Sequence, residues 1–437
     1  MVKLYKLHKF VGLFALLFLF NLAITGFFLD HKSWHFLYTI QFSHYPSSLK
    51  DYDKKLLQSY LVDGDTILVG SKKGLYLFNG KKFKKVSDIS VNAIKKRDSE
   101  YLIAADQGLF LYKNSSLLPF ALQGRAITAL SVENDKVVAV IEKKEIALID
   151  KNGSIKTYRA TIPPKLYQDS ITLSRFVRDL HYGRGLMTNF SLLINDYGAL
   201  ILAFLSLSGA LIFILLQKKA KVAKRWIKAH ANIVTFIAFV PLFTLALTGI
   251  FLDHAKGLSQ FLHSVKIPFL ILPPAYKNLS DDIWAIDLYK GKIYIGNRFG
   301  LFVTKDLKNY KLVSKGFVYR LIRDKKTLFI SGMGSENRIL QNGKVQELLA
   351  PHMFKDTFVY KGKRYYLTPS TDIALPDEKS ITLYSILLGL HNGKFFSSWW
   401  IWINDLAAIA LLILYLTGSI RWIARKRLFA VVHKHLL

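Results

Sequence analysis

The sequence predicts a membrane-embedded helical bundle joined to an all-β domain, and three observations lead to this prediction. Four apolar stretches are long enough to cross a bilayer. They occur as two copies of one pair, and the segments between them alternate apolar and polar residues in short runs bounded by turn residues. We therefore expect four transmembrane helices in two parallel repeats, with the β segments forming one composite six-bladed β-propeller.

The first predicted span lies in residues 1–31. Residues 10–29 carry no charge, and twenty residues at a rise of about 1.5 Å cover about 30 Å of hydrocarbon. The stretch returns in residues 228–254, where Thr248-Gly249 repeats Thr25-Gly26 at an offset of 223 residues. Because the copy lies in mid-chain, we interpret the N-terminal stretch as a helix and not as a removable signal peptide.

The second and fourth spans are also copies of each other. They lie in residues 181–217 and 389–423, and each follows a Leu-His-x-Gly segment. Asn195-Asp196 corresponds to Asn404-Asp405 and Ser208-Gly209 to Thr417-Gly418, both at an offset of 209 residues. Residues 424–437 form a short tail.

Lysine and arginine predict the orientation of the spans. The basic clusters before span one, between spans two and three, and after span four all fall on one side of the predicted bundle. Under the positive-inside rule this side is the cytoplasm, so both termini are expected there and the β segments outside.

Composition excludes several function classes. The chain has no cysteine, which excludes disulfides, iron–sulfur clusters, covalent haem attachment and thiol chemistry. The formal charge of +31 is explained by cations beside the membrane, so no nucleic-acid partner is expected and the lipid bilayer is. No dinucleotide, P-loop, Ser-His-Asp or HExxH pattern is found, and no catalytic residue is assigned.

The two long β segments, residues 45–178 and 264–385, each contain a threefold repeat. Units begin at Asp65, Glu100 and Asp135, spaced by 35 residues, and at Gly291, Lys326 and Lys363, spaced by 35 and 37. A unit and its preceding strand supply four short strands, which is typical of a propeller blade. Since three blades cannot close a ring, we expect blades 1–3 and 4–6 to form one propeller; two separate open β-domains are the alternative.

Histidines at matched positions of the repeats are the candidate site residues. They form three pairs near the predicted membrane faces: His8 and His230, His31 and His254, and His181 and His391. Parallel repeats place equivalent side chains on opposite sides of a pseudo-twofold axis along the membrane normal. This arrangement suits a planar cofactor with two axial ligands, although a single interfacial histidine is usually only a polar anchor.

Four aspartates beside these segments have two interpretations. Asp30, Asp253, Asp196 and Asp405 either hydrogen-bond a ligand histidine and fix its tautomer, or cap helix starts and ends without a role at the site. An unpaired carboxylate inside a span is costly, so each is expected to have a partner.

The spans and their flanks resemble the PepSY-associated transmembrane proteins, which include ferric-siderophore reductases with histidine-ligated b haems. The resemblance rests on the Leu7-His8-Lys9 opening followed by Gly12, the Thr25-Gly26 helix end, and Leu-His-x-Gly-Arg at residues 180–184. The outer segments depart from the family, because they are predicted as propeller blades and not as PepSY modules. The second opening, at His230, also lacks the following glycine.

The resemblance implies a function and a set of cofactor contacts. It implies a b-haem oxidoreductase of the inner membrane that passes electrons to an acceptor outside, but it does not carry over which acceptor. With two b haems and a periplasmic β-domain expected from the sequence, we expect an anionic ferric chelate or siderophore as the acceptor, because residues 32–195 carry excess positive charge. Arg184 and Lys394 are candidates to hold haem propionates, and are otherwise ordinary interfacial cations. Electrons come from a separate reductase or quinol, because the chain has no NADH or flavin motif. The alternative is a haem-free receptor or scaffold whose propeller binds a periplasmic ligand or protein.

Distance separates the candidate ligands into two sites. His8 and His31 are 23 residues apart on one predicted helix, or about 35 Å, so one haem cannot bind both. We expect an inner haem between His8 and His230. Four histidines compete for the outer haem; we favour His181 with His391, while His31 and His254 remain alternatives.

Overall fold

The computed structural model describes residues 2–150, 153–163, 166, 170–184, 191–273 and 282–434. Three helices within these ranges are long and apolar enough to cross a membrane, and a bent pair of helices supplies a fourth crossing if the pair counts as one span. The helices are α1 Val2–Asp30, α2 Phe36–Thr39, α3 Leu173–His181, α4 Ser191–Gln217, α5 Ala223–His230, α6 Ile233–Ile237, α7 Phe239–Asp253, α8 Ser259–Ser264, α9 Leu383–His391 and α10 Ile401–Lys434.

The third predicted span, residues 228–254, is broken. Helices up to Ile237 and from Phe239 onward meet at an angle of 72°. Pro241 explains the break, because its ring lacks an N–H and clashes with the carbonyl of Ile237, four residues earlier. A capping box between Asn232 and Thr235 starts α6 afresh, so the chain reaches the bundle in short helical pieces.

The first β segment contains three four-stranded antiparallel sheets. Sheet 1 consists of β2 Leu57–Asp63, β3 Thr66–Ser71, β4 Gly74–Phe78 and β5 Phe83–Ser87, and sheet 2 of β6 Val91–Arg97, β7 Glu100–Ala105, β8 Gly108–Lys113 and β9 Ser116–Ala121. Sheet 3 consists of β10 Ile127–Glu133, β11 Lys136–Ile141, β12 Glu145–Ile149 and β13 Ile155–Arg159. Two short strands lie outside these sheets, β1 Gln41–Phe42 before them and β14 Ser170–Thr172 after them.

The second β segment contains two four-stranded sheets and one two-stranded sheet. Sheet 4 consists of β16 Ala285–Tyr289, β17 Lys292–Gly296, β18 Gly300–Thr304 and β19 Lys311–Lys315, and sheet 5 of β20 Val318–Asp324, β21 Thr327–Gly332, β22 Arg338–Gln341 and β23 Lys344–Glu347. Sheet 6 consists of β24 Thr357–Tyr360 and β25 Lys363–Tyr366. Two short strands lie outside these sheets, β15 Lys266–Pro268 before them and β26 Ile381–Thr382 after them. The sheets run as up-and-down meanders and together form a propeller-like β-domain.

Sheet 6 has two strands where the sequence predicts four. The residues after Tyr366 include Pro369 and Pro376, which have no N–H to donate to a strand ladder. Thr371 bonds locally instead, donating its hydroxyl to the Tyr366 carbonyl at 2.7 Å. The segment still covers sheet 1, since Ile373 and Leu375 pack against the cluster that contains Tyr60.

The two β segments meet at two junctions. Sheet 3 and sheet 4 share a buried core, and the Leu288 N–H donates to Ser131 Oγ at 2.9 Å. Sheet 1 and sheet 6 share another core, in which the Tyr60 and Phe358 rings stack with centroids 4.2 Å apart. Each segment therefore buries apolar surface against the other at both of its ends.

The helices pack around a core of small and branched apolar residues. Helix α1 packs against α4 and α10, and its Ala15, Leu19 and Ala23 belong to one buried cluster that also contains Leu242 of α7 and Leu411 of α10. Many large side chains on the outer surface of the bundle are exposed, such as Phe10 at 74% and Leu17 at 75%. Because water does not favour such a surface, it is suited to lipid contact.

The shared core predicts that damage in one β segment destabilises the other. Phe358→Ala removes a side chain that is 7% exposed and stacked on Tyr60, so we expect a loss of about 3–5 kcal/mol. Limited proteolysis of the full chain should then cut residues 45–178 as well as residues 264–385.

Val359→Ala is the matched control, because Val359 is the next residue of the same strand and is 45% exposed. This variant should resist protease like the unchanged chain. Cleavage of Phe358→Ala confined to residues 264–385, or cooperative folding of residues 45–178 expressed alone, would show that the two segments are independent domains.

Candidate functional site

Two short helices of equal length, α3 and α9, present histidines at their last residue. Thr172 and Thr382 cap α3 and α9, and each accepts a hydrogen bond from the backbone N–H three residues later. Gly183 and Gly393 follow each helix with φ of +60° and +73°, a conformation that favours glycine. The repeat thus places His181 and His391 in equivalent positions.

Side-chain amides from the spans hold these histidine-bearing helices. Asn195 Nδ2 of α4 donates to the His181 carbonyl at 3.0 Å, and Asn404 Nδ2 of α10 donates to the His391 carbonyl at 2.9 Å. Both amides are buried. They satisfy carbonyls that a helix end would otherwise leave unpaired, and they fix the height of each histidine relative to the bundle.

The structure brings the histidines together in two pairs. At the end of the bundle that carries the basic clusters, the His8 and His230 rings lie with centroids 6.4 Å apart and planes at 89°. At the end near the sheets, the His181 and His391 rings lie with centroids 6.3 Å apart and planes at 54°. Each pair contains one histidine from each repeat.

A hydroxyl from a neighbouring helix binds Nδ1 of every paired ring. Thr417 binds His8 at 2.8 Å and Ser208 binds His230 at 2.8 Å. In the outer pair the corresponding contacts join Thr248 to His181 at 3.0 Å and Thr25 to His391 at 2.9 Å.

The hydroxyls determine which ring nitrogen carries the proton. Each hydroxyl has one proton, and it is donated to a backbone carbonyl of its own helix: Thr25 to Asn21, Thr248 to Thr244, Thr417 to Ile413 and Ser208 to Leu205. The hydroxyl must therefore accept from Nδ1–H. In a neutral ring this leaves the lone pair on Nε2, the atom that is free to bind a metal.

A glycine follows each of these hydroxyl residues and lies against the ring. A Cβ added to Gly418 would be 3.4 Å from His8 Cε1, and one added to Gly26 would be 3.3 Å from His391 Cε1. The corresponding distances are 3.6 Å for Gly209 to His230 and for Gly249 to His181. The four Ser/Thr-Gly steps are thus imidazole seats, each consisting of one acceptor and one bare backbone surface.

The distances between the rings fit a shared metal ion. Two imidazoles that bind one ion through nitrogens at about 2 Å have ring centroids about 6 Å apart. Both observed separations agree with this value. The described residues contain no group of three or more His, Asp or Glu side chains that could hold a metal ion.

The third predicted pair, His31 and His254, is used differently. His31 Nδ1 binds the Phe27 carbonyl at 2.8 Å, and its Nε2 lies 3.6 Å from Asp196. His254 Nε2 lies 2.7 Å from Asp405. The structure does not pair these rings with each other or with the four seated histidines.

The four predicted aspartates do not contact the seated rings. Asp196 and Asp405 bind His31 and His254, while Asp30 lies beside Asn195 and Asp253 lies beside Asn404. Each aspartate therefore has a neighbour within the layer that anchors α3 and α9.

The two predicted propionate contacts differ in burial. Burial, and then the charge of Arg298, lower the pKa of Arg184, whose guanidinium lies 5.5 Å from the Tyr182 ring. Lys394 is exposed, and its backbone N–H binds Asn392 Oδ1 at 3.1 Å. Arg184 is therefore held in place near the outer pair, whereas Lys394 remains a surface cation.

A cavity of about 260 Å³ adjoins the inner pair. Its wall includes His8 and His230, their seats at Gly418 and Gly209, and Gly12. Lys9 and Arg421 also line it and supply two cations at the basic end of the bundle.

Sequence reasoning missed these two cations and the four seats. Lys9 follows His8 directly, and Arg421 lies three residues after Gly418, so proximity to the motifs was the available signal. The seats were visible as Ser/Thr-Gly repeats, but the same pattern is common where helices simply pack closely.

Comparisons with known proteins give one family and several weak structural likenesses. The family described as the PepSY-associated TM region matches residues 120–425. A search of curated proteins found no match. Solved structures to which the chain is similar include the extracellular domain of a candidate one-component system from B. thetaiotaomicron, the computationally designed protein Ika8 and the Pan2 WD40 domain of Neurospora crassa.

The structural likenesses are low in both identity and TM-score. The extracellular domain has 11% identity and a TM-score of 0.36, covering 77% of this chain and 33% of its own, so this chain spans a third of that domain. Ika8 has 11% sequence identity and a TM-score of 0.34, and the match covers 75% of this chain and 89% of Ika8. The WD40 domain has 9% sequence identity and a TM-score of 0.29, and the match covers 71% of this chain and 85% of that domain.

Because the chain has no cysteine, the inner pair can be tested by crosslinking. In a His8→Cys, His230→Cys double variant, we expect a short bifunctional thiol reagent to join the two positions, since the native rings have centroids 6.4 Å apart. Protease cleavage in the loop after Gln217 followed by denaturing electrophoresis should then give one joined band.

The control is the His31→Cys, His230→Cys variant, whose two positions lie in different fragments and at opposite ends of the bundle, since residue 31 follows the outer end of α1 and His230 lies beside His8. The same short reagent should label both thiols of this control variant without bridging them. Separate fragments from the His8→Cys, His230→Cys protein would contradict the pairing.

Proposed function

Since the chain belongs to the PepSY-associated transmembrane family, we propose that it is a di-haem b electron-transfer protein of the bacterial inner membrane. It takes electrons from a separate reductase or quinol at the basic, cytoplasmic end and delivers them to an acceptor outside, an anionic ferric chelate or siderophore. Both termini are cytoplasmic and the β-domain is periplasmic.

One observation carries the proposal: two histidine pairs with centroids 6.4 and 6.3 Å apart lie at opposite ends of the bundle. Between them α1 runs from His8 to the Thr25 seat of His391, which is 17 residues or about 25 Å. Two sites at this separation lie near the two faces of a bilayer, as a chain that carries electrons across it requires.

When bound, haem supplies an iron that changes its charge by one electron. The residues of the chain supply everything else. The Nε2 lone pairs of His8 and His230, and of His181 and His391, would hold the two haem irons, and the hydroxyl seats keep these rings in the required tautomer. Lys9, Arg421 and Arg184 would balance the negative charge of the cofactors.

The same proposal includes a closed β-domain. We infer that sheets 1–6 are the blades of one propeller, because neighbouring sheets share cores and the junction of sheet 6 with sheet 1 joins the last sheet to the first. The β14–β15 pairing, with Ile171 opposite Ile267, ties the two segments together just above the bundle. A closed ring of this kind holds α3 and α9 in fixed positions.

Haem content of histidine variants tests the ligand assignment. His8→Ala and His230→Ala should each remove about one haem per chain while the outer haem remains reducible by dithionite. His181→Ala and His391→Ala should remove the other. Pyridine haemochrome analysis against protein concentration measures the content.

His31→Ala and His254→Ala are the matched controls, because these rings lie near the same membrane face but bind Asp196 and Asp405. They should keep both haems. Full haem content in both inner-pair variants would disprove the inner assignment, and loss of haem only in the controls would move the outer site to His31 and His254.

Reoxidation of the reduced protein tests the acceptor. In proteoliposomes that contain reduced protein with the β-domain outside, an added ferric chelate should reoxidise the haems without NADH consumption, because the chain has no NADH motif. Absorbance in the Soret region follows the reaction.

Liposomes without protein, loaded with the reductant that reduces the haems, are the control for leakage of this reductant to the chelate outside. Rapid reoxidation by a quinone together with no reoxidation by any ferric chelate would reject the acceptor and leave the haem assignment intact. A colourless protein from haem-replete cells would instead favour a receptor or scaffold.

A further inference from the structure

A small cavity lies where the first strands of all six sheets converge. Its volume is about 30 Å³. Sheet 3 contributes only the apolar Ala129 and Leu130 to its wall. The polar lining comes from the other five sheets and the residues directly before them: Gln58, Ser59, Asn92, Lys95, Trp284, Arg320, Lys355 and Asp356. A cavity lined by sheets 1 to 6 in this way lies on the axis of the ring.

Cations without carboxylate partners surround this cavity. Arg320 and Lys355 line it, and Lys143 lies with its Nζ 3.4 Å from the centroid of the Trp284 ring. Within the described residues none of these three has a carboxylate oxygen within 4 Å, although all are only partly exposed. Cations in such a position favour a counter-ion from outside the chain.

Two N–H donors at the cavity also have no acceptor. Arg320 Nη2 donates to Gln58 Oε1 at 2.8 Å, but its Nε is buried without a partner in the described structure, as is Trp284 Nε1. Buried donors of this kind are costly unless a water or ligand satisfies them. Two such donors beside unpaired cations form a site for an oxygen-rich anion.

The one carboxylate on the cavity wall does not neutralise these cations. Asp356 accepts hydrogen bonds from Ser59 Oγ at 2.6 Å and from the Tyr60 N–H at 3.1 Å. Lys355 donates to the Lys55 carbonyl, a neutral group. The cationic groups therefore repel one another.

Burial lowers the pKa values of Lys355 and Lys143, and neighbouring cations lower them further. Burial, and then the charges of Arg320 and Lys72, lower the pKa of Lys355 to about 7. Burial, and then the charge of Arg184, lower the pKa of Lys143 well below its usual range. Arg184 lies three residues after His181, so the cationic group extends from the axis of the ring towards the outer histidine pair.

We propose that this axial cavity binds one carboxylate group of a multivalent anion. The volume admits a single group of that size and not a whole chelate, so the rest of the anion must lie in the opening of the ring. This assignment of the anion rests on the proposed function, in which the electron acceptor is a ferric chelate. We assign it as a carboxylate-bearing ferric chelate, such as ferric citrate, held in the β-domain by Arg320, Lys355 and Lys143.

Calorimetry with a redox-inert probe tests the site. Gallium citrate should bind the full-length purified protein, and Arg320→Gln or Lys355→Gln should each weaken binding about tenfold or more, the loss expected for a hydrogen bond to a charged group. Lys136→Gln, which changes an exposed lysine at the start of β11, should bind like the unchanged protein. Arg320→Lys keeps the charge without Nε and should give an intermediate affinity.

The outcomes separate this inference from the proposed function, because gallium citrate binding requires neither haem nor electrons. Binding that depends on Arg320 in a haem-free protein would reject the proposed function and support the cavity. No binding by a di-haem protein, or equal binding by the Arg320→Gln, Lys355→Gln and Lys136→Gln variants, would overturn the cavity. Tighter binding of inorganic phosphate than of citrate would overturn its assignment to a carboxylate.

Discussion

A neutral histidine ring has one N–H donor and one lone pair, and burying it in a helical bundle requires a partner for each. In His8, His230, His181 and His391 the donor is used in the same way, by a hydroxyl on a facing helix whose own proton is already committed to the backbone. The lone pair on Nε2 remains available in four rings. The arrangement of the bundle follows from this constraint, because every seat must face a histidine at the correct height.

The seats also link the two ends of the bundle. Helix α1 carries His8 at one end and the seat of His391 at the other, and α10 carries the seat of His8. Helices α3 and α4 of the first repeat are joined in the same way to α7 and α5 of the second, through His181 and His230. A shift of one helix would therefore disturb both pairs, which explains why Asn195 and Asn404 tie α3 and α9 directly to the spans.

Duplication made much of this arrangement predictable from the sequence. The family assignment is confirmed, and the apolar helices and four-stranded sheets agree with the predicted architecture at that level. The role of Asn195 was not predictable, because asparagine near a helix start is ordinarily read as a cap. The break at Ala238 was hidden by an apolar run that is continuous across Pro241, and the two strands missing from sheet 6 were hidden by a repeat length that suggested four. The axial cavity was beyond sequence reasoning, since Trp284, Arg320 and Lys355 converge only when the ring of sheets closes.

Electron paramagnetic resonance of the oxidised, unmodified protein, combined with its haem-to-protein ratio, tests the central claim most directly. Two histidine pairs with Nε2 free predict two low-spin b haems per chain, each with bis-imidazole signals and no open coordination position. A ratio near one, a high-spin signal that binds added ligands, or a protein purified without haem from haem-replete cells would contradict the account.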